Sequence, residues 1–239
     1  LVISGFLGTS ANGIYSMAYK FPNIMDTIYN FFYIAWKESA AKVLKDQDAK
    51  EFYNNVYHAL LRFLIAITLG ILAFMPFIFP LLIKEEFAEA YKYIPMLLIA
   101  MFFNNISGFY GGIFSAYKST KIIGSTTIIS AVINLVVNLA LIKFIGIWAA
   151  ALSTLISTFI VYKLRNIKIK EFVNLQEESN IVLFVMLVLT IFSYYNKDNL
   201  LLNLIVALII TIYSFYINQN IIKIIFRKIT NGKFKIFEK

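Results

Sequence analysis

Cysteine is absent from this 239-residue chain, histidine occurs once, and Asp and Glu together number only 13. The missing thiols exclude disulfides and thiolate metal sites. The single histidine, His58, is read as an ordinary solvated or hydrogen-bonded side chain, since nothing around it forms a metal cluster. No nucleophile–base pair and no phosphate-binding loop can be found either, so neither an enzyme nor a cofactor is expected. Charge of any sign is scarce, at 15% of residues.

Apolar sequence takes the place of all of these. Hydrophobic residues make up 60% of the chain, Phe and Tyr number 23 and 15, and the mean hydropathy is +0.75. A soluble domain of this length could not bury that much apolar surface. Apolar runs cover roughly 12–36, 58–83, 94–117, 122–143, 146–164, 180–196 and 199–222. Each lies near the ~20 residues a helix needs to cross about 30 Å of hydrocarbon. Runs such as Ile181 to Phe192 are continuously apolar, without the alternation of barrel strands. The expected fold class is therefore all-α: a polytopic transmembrane bundle of about seven helices.

Lysine and arginine switch sides along the chain. Five fall in 37–62, two in 117–121, four in 163–170 (Arg165 among them) and six from 223 onward. The loops between hold Lys84, Lys92, Lys143 and Lys197. By the positive-inside rule the seventeen face the cytoplasm and the four face outward. The first helix then enters from outside, 166–179 is a cytoplasmic loop carrying Glu177 and Glu178, and 223–239 is a basic cytoplasmic tail. The net charge of +9 does not read as nucleic-acid binding, because no basic face is interleaved with stacking aromatics. No signal peptide is recognisable. Residues 1–10 look like the end of a preceding helix, and the expectation is the C-terminal portion of a longer protein.

The helices differ in kind. On the first, a 100° step per residue aligns Gly13, Ser16, Lys20, Asn23, Thr27 and Asn30, with Ile14, Met17, Phe21, Ile24, Met25, Ile28 and Phe32 elsewhere. A lysine at a helix centre costs about 2.5–3.5 kcal/mol on insertion scales unless its stem snorkels to an interface. Lys20 is read either as snorkelling outward or as facing a cavity, and the polar stripe around it favours the cavity. Asp26 is the only acid well inside a segment, about 120° from Lys20 and unable to pair with it along the helix. Two readings stand for it: a structural hydrogen bond, or a coupling site for H⁺ or Na⁺. Pro22 predicts a kink between them.

The stretch 37–57 alternates charge with apolar positions at helical spacing and predicts an interfacial helix. In the third segment Gly108/Gly112 and Gly111/Ser115 have the spacing that lets helix backbones approach. On the fourth, Asn134 and Asn138 lie one turn apart, suited equally to interhelical hydrogen bonds and to sugar hydroxyls. The fifth aligns Gly146, Ala150, Thr154 and Thr158. The last two segments, within 180–222, lack a polar stripe and are expected to be peripheral additions to a functional lobe over 11–165. Lys20, Asn23, Thr27, Asn30, Asn134 and Asn138 are the candidate cavity-lining residues, and Asp26 is the candidate for ion coupling.

Several of these runs resemble one family. Phe87-Ala88-Glu89-Ala90-Tyr91-Lys92-Tyr93-Ile94-Pro95-Met96-Leu97-Leu98, then Gly111/Gly112 and Ala116-Tyr117-Lys118-Ser119-Thr120-Lys121, are similar to the tenth-helix region of bacterial polysaccharide flippases. Asn134 to Leu139, Gly146 to Thr154, and Gly13 to Pro22 are similar to other helices of the same family. These are Wzx-type O-antigen and capsule-repeat transporters of the multidrug/oligosaccharidyl-lipid/polysaccharide exporter superfamily. The resemblance implies a fourteen-helix protein of the bacterial inner membrane, with both termini cytoplasmic and two six-helix lobes around a cavity. The seven segments would be helices 8–14, the final two lying outside the lobes, and an N-terminal lobe of the same protein would complete the cavity. The implied substrate is an undecaprenyl-diphosphate-linked oligosaccharide, moved between leaflets in contact with membrane lipid and other polysaccharide-assembly proteins. Lys20 would contact diphosphate or acidic sugar, and helix breaks near Pro76, Pro80 and Pro95 would serve the rocking of lobes. No cavity arginine is recognised in this region. A cation-coupled multidrug exporter of the same superfamily, with Asp26 as coupling acid, is the alternative. A glycan polymerase or a structural membrane subunit is a more distant one.

Overall fold

Wherever the sequence runs apolar for about twenty residues the chain is helical, because a helix satisfies its own backbone in hydrocarbon. The computed structural model describes residues 2–176 and 181–230. They form α1 (Val2–Val43), α2 (Ala49–Leu82), a 3-10 segment (Glu85–Tyr93), α3 (Ile94–Ala116), α4 (Thr120–Ile145), α5 (Ile147–Ile169), α6 (Ile181–Tyr195), α7 (Leu200–Ile217) and α8 (Gln219–Thr230). No strand occurs among the described residues. Among the described residues five stretches are long and apolar enough to cross a bilayer: Ala49–Leu82, Glu85–Ala116, Thr120–Ile145, Ile147–Ile169 and Leu200–Ile217. The other two expected segments differ from these in opposite ways. α6 is apolar but has 15 residues, about 22 Å of helix; α1 has 42 residues, and its polar stripe dilutes its apolar character.

The interfacial helix expected over 37–57 does not form. Its periodic positions are the last turns of α1 and the first turns of α2, joined by a tight turn over 44–48. Tyr53 clamps the corner by donating to the Ala40 carbonyl at 2.7 Å. A 3.6-residue period is the same in one helix lying flat and in two helices meeting, so spacing alone did not separate the two. The prolines likewise interrupt less than expected. α1 is helical through Pro22 and breaks instead at Gly8 (φ 86°, ψ 176°). Pro76 and Pro80 lie inside an unbroken α2. Pro95 occupies the first turn of α3, where no intrahelical N–H bond is lost. Between α4 and α5 a single residue reverses the chain: Gly146, at φ 57° and ψ −131°, a conformation closed to side chains.

α3 is the centre of the bundle, with α1 on one flank and α5 on the other, and α4 lies outside α5. α1 approaches α3 most closely where α3 has no side chain: Tyr29 lies over Gly108 and Trp36 over Gly112. Trp36 stacks on Phe109 with centroids 4.3 Å apart and donates from Nε1 to the Phe109 carbonyl at 3.0 Å. α6 and α7 pack on α2 through a separate cluster of Ile65, Leu69, Ala73, Val206, Ala207 and Ile210. Their remaining large residues, Phe184, Val188, Leu204 and Leu208 among them, are exposed on the outside.

The turns gather at two ends. At one, Tyr91 and Tyr194 donate to each other's carbonyls, Tyr195 donates to the Lys92 carbonyl at 3.1 Å, and Tyr93 meets Trp148 edge to face. At the other, Asn54 donates to the Asn174 carbonyl at 3.3 Å, and Phe172 packs on Phe114 and Tyr117. The first end carries Lys84, Lys92, Lys143 and Lys197, whereas the second carries the lysine-rich turns. Glu177, Glu178 and the tail beyond Thr230 lie outside the described residues. The charge bias predicts that Ser119→Cys, in the α3–α4 turn, resists an impermeant thiol reagent added outside intact cells while Glu86→Cys, on the 3-10 segment, labels. Labelling of Ser119→Cys with protection of Glu86→Cys would invert the topology.

Candidate functional site

α1 turns its packed face, Ala18, Phe21, Met25, Tyr29, Trp36 and Ala40, toward the bundle. Its opposite face is thereby left open, and Lys20, Asn23, Thr27 and Asn30 all lie on it, exposed. Asp26, on the flank, is half-buried and accepts from Asn30 Nδ2 at 3.3 Å, one turn along the same helix. That bond answers the question of its partner locally. Thr27 turns its hydroxyl back to the Asn23 carbonyl at 2.8 Å, a back-bond that leaves its lone pairs as acceptors.

At the upper end of this face, between α1, α4 and α5, opens a cleft of about 510 Å³ lined by Tyr15, Ser16, Tyr19, Asn134 and Thr154. A smaller cavity of about 100 Å³ continues it toward α3, past Asn104 and Thr158. Thr154 Oγ1 is the hub. Its proton goes to the Ala150 carbonyl at 2.8 Å, so Tyr15 (3.4 Å) and Asn134 Nδ2 (3.4 Å) act as donors to it. Asn134 Nδ2 also lies 3.5 Å from Ser157 Oγ. Of its two proposed uses, Asn134 thus makes the interhelical bond and lines the cleft as well. Asn138 does not join it: one turn further it is buried, and its Oδ1 accepts no hydrogen bond.

The reading of Arg165 as a charge of the 163–170 loop is corrected. α5 continues to Ile169, and Arg165 is 7% exposed, the only charged side chain among the buried described residues. Nε donates to Thr126 Oγ1 at 2.9 Å, Nη1 to the Ser107 carbonyl at 2.8 Å, and Nη2 to Thr127 Oγ1 at 3.2 Å. One guanidinium therefore ties α5 to both α3 and α4, entirely through neutral acceptors. Tyr33 Oη and Arg165 Nη1 both border Gly111, within about 4 Å of where its Cβ would stand. This is a buried arginine in the last turns of a helix long enough to span a membrane, and the sequence pattern alone did not reveal it. The signal was present: Ala149, Ser153, Ser157, Val161, Arg165 and Ile169 recur every four residues and all are buried. Tyr15 and Tyr19 were also missed as site residues, because aromatics on an apolar helix read as packing until three helices are brought together.

A family model described as MatE matches residues 1–140, covering α1 to α3 and most of α4. The chain belongs to the MatE family, whose members are membrane exporters rather than enzymes. No curated protein and no solved structure matches it.

Proposed function

We propose that this MatE chain is the cavity-forming lobe of an exporter that moves an undecaprenyl-diphosphate-linked oligosaccharide across the bacterial inner membrane. The observation that carries this reading is the chemistry of the open surface. From Ser16 to Asn30 it offers amides, hydroxyls, two tyrosines in the adjoining cleft and one lysine. Amides and hydroxyls exchange hydrogen bonds with sugar hydroxyls, tyrosine rings cover the apolar faces of sugars, and Lys20 suits diphosphate or acidic sugar. An apolar groove of about 290 Å³ between α2, α3 and α6, lined by Ile65, Leu69, Phe102, Leu183 and Phe184, provides hydrocarbon surface for a lipid tail. In this reading a second lobe closes the cavity over the α1 face, and the lysine-rich end with the C-terminus is cytoplasmic.

Asp26 favours a second reading, a cation-coupled multidrug exporter, because an intramembrane acid is what such coupling requires. Its bond to Asn30 and the absence of any other acid between Ser16 and Asn30 weigh against it. Deletion of the gene separates the two. The glycan reading expects surface glycan to vanish while lipid-linked repeat units accumulate on the cytoplasmic leaflet. Complementation with Lys20→Ala should give normal membrane abundance but about ten-fold less surface glycan, the loss expected for one charge-assisted contact. Unchanged glycan with new sensitivity to cationic drugs would replace this reading with the multidrug one and move the site from Lys20 to Asp26.

A further inference from the structure

Beyond the transport lobe α7 ends at Ile217 and, after the single residue Asn218, α8 begins. The junction is fixed in depth. Asn218 is buried, and its Nδ2 donates to the Ser214 carbonyl at 3.0 Å and to the Arg62 carbonyl of α2 at 3.3 Å. α7 is long and apolar enough to cross the bilayer, so a helix starting at Gln219 starts at the membrane surface. Over Gln219–Arg227 α8 is two-sided. A 100° step places Gln219, Asn220, Lys223 and Arg227 within about 100° of one another, and Ile221, Ile222 and Ile224 on the remaining arc. α8 packs on the end of α7, and Ile222 and Ile224 are 38% and 57% exposed.

We propose that α8 is an interfacial helix that binds the anionic headgroups of the leaflet from which α7 emerges. Its isoleucines sink to the acyl boundary, while Lys223 and Arg227 engage lipid phosphates. The occupant is assigned by position: the arc begins one residue from the end of a bilayer span, where hydrocarbon is the nearest apolar medium. The cations supply the charge preference, since each Lys or Arg at an anionic surface strengthens binding about five-fold. The same charges lie at the end of the bundle that carries Lys118 and Lys121 at the α3–α4 turn and Lys168 and Lys170 at the end of α5, so α8 adds to the cations of that end. This inference depends only on the chain spanning a membrane and holds whatever the substrate.

These 239 residues hold no cysteine, so the test is made in the full-length protein with any cysteine outside this region replaced by serine, in nanodiscs of phosphatidylcholine with and without phosphatidylglycerol. Nitroxides are placed at Ile222→Cys, Ile224→Cys, Lys223→Cys and Arg227→Cys. The expected result is high oxygen and low nickel-chelate accessibility at positions 222 and 224, with the reverse at 223 and 227. Lys223→Gln with Arg227→Gln should weaken this pattern about 25-fold in the anionic discs, measured as the ratio of embedded to exposed signal. Equal nickel-chelate access at all four positions in anionic discs would place α8 in water and overturn the proposal. Shielding of 222 and 224 from both reagents would show protein covering the arc and overturn it equally.

Discussion

A purified Arg165→Lys protein is expected to unfold about 6–12 °C below its parent, whereas Arg165→Met stays within about 4 °C of it. The conservative change is the harmful one because of what the guanidinium touches. It reaches Ser107 on α3 and Thr126 and Thr127 on α4 at once, and a planar fork can do this where a point-like ammonium cannot. Lysine would keep the cost of burying a charge, about 3 kcal/mol once its hydrogen bonds are incomplete, and lose most of the return. Methionine removes that cost. The acceptors it leaves behind are already engaged within their own helix: Thr126 and Thr127 donate to the Ile122 and Ile123 carbonyls at 2.7 and 2.8 Å. Neutral groups with a bond of their own lose little when a second partner leaves. Thermal unfolding of the two variants in one lipid mixture decides the matter. A milder effect of Lys than of Met would show that the charge itself, not the fork, binds the three helices. If Arg165→Met folds yet loses transport, the cation acts on the substrate; if transport survives, the arginine is architecture.

How far the sequence could be read follows the same physics. Long apolar runs and a 3.6-residue period are properties of single helices, so the all-helical bundle, the open polar face of α1 and the outward-facing α6 and α7 were accessible from the residues alone. What only the fold reveals is whatever depends on two helices meeting. Arg165 was counted as a loop charge because the positive-inside rule treats a cation near the end of a segment as wet; only burial by α3 and α4 shows otherwise. Moving it leaves sixteen cations on the lysine-rich side, so the orientation argument is unaffected. The pairing of Asp26 with Asn30 was within reach, since (i, i+4) neighbours face each other. Asn134 and Asn138 share that spacing, yet one lines the cleft and the other is packed away, a difference set by where α5 lies against α4 rather than by either residue. Proline gave the least information: Pro22, Pro76 and Pro80 are all contained within continuous helix, because in a membrane neighbouring groups make good the lost bonds.

The glycines of α3 should prove unequal despite their common spacing. Gly112→Ala is expected to cost about 3 kcal/mol, at the upper end of overpacking effects, and Gly108→Ala much less. A Cβ on Gly112 would overlap the indole of Trp36, which has nowhere to go. Trp36 is 2% exposed, stacked on Phe109, near-parallel to Phe32 at 6.2 Å, met on edge by Tyr53, and bonded from Nε1 to the Phe109 carbonyl. Relief would require α1 and α3 to separate, and with them the packed Trp36 layer. A Cβ on Gly108 meets instead the outer end of Tyr29, whose buried hydroxyl has no hydrogen-bond partner. Deleting that hydroxyl removes the closest obstruction, leaving ring carbons at 3.1 Å that a small tilt of the ring can clear, and it removes an unsatisfied polar group. Tyr29→Phe alone should therefore be neutral or slightly stabilising, and Gly108→Ala with Tyr29→Phe should recover most of the loss of Gly108→Ala, a coupling of about 1 kcal/mol in a double-mutant cycle. Trp36→Phe should rescue Gly112→Ala only in part, since the smaller ring forfeits its bond and its stacking. Equal costs at the two glycines, or no coupling between Gly108 and Tyr29, would contradict this account of the α1–α3 contact. Because that contact sets the rotation of α1, it also sets the direction in which Lys20, Asn23, Thr27 and Asn30 face. Gly112→Ala protein that still reaches the membrane should consequently lose transport along with stability, while Tyr29→Phe should leave both unchanged.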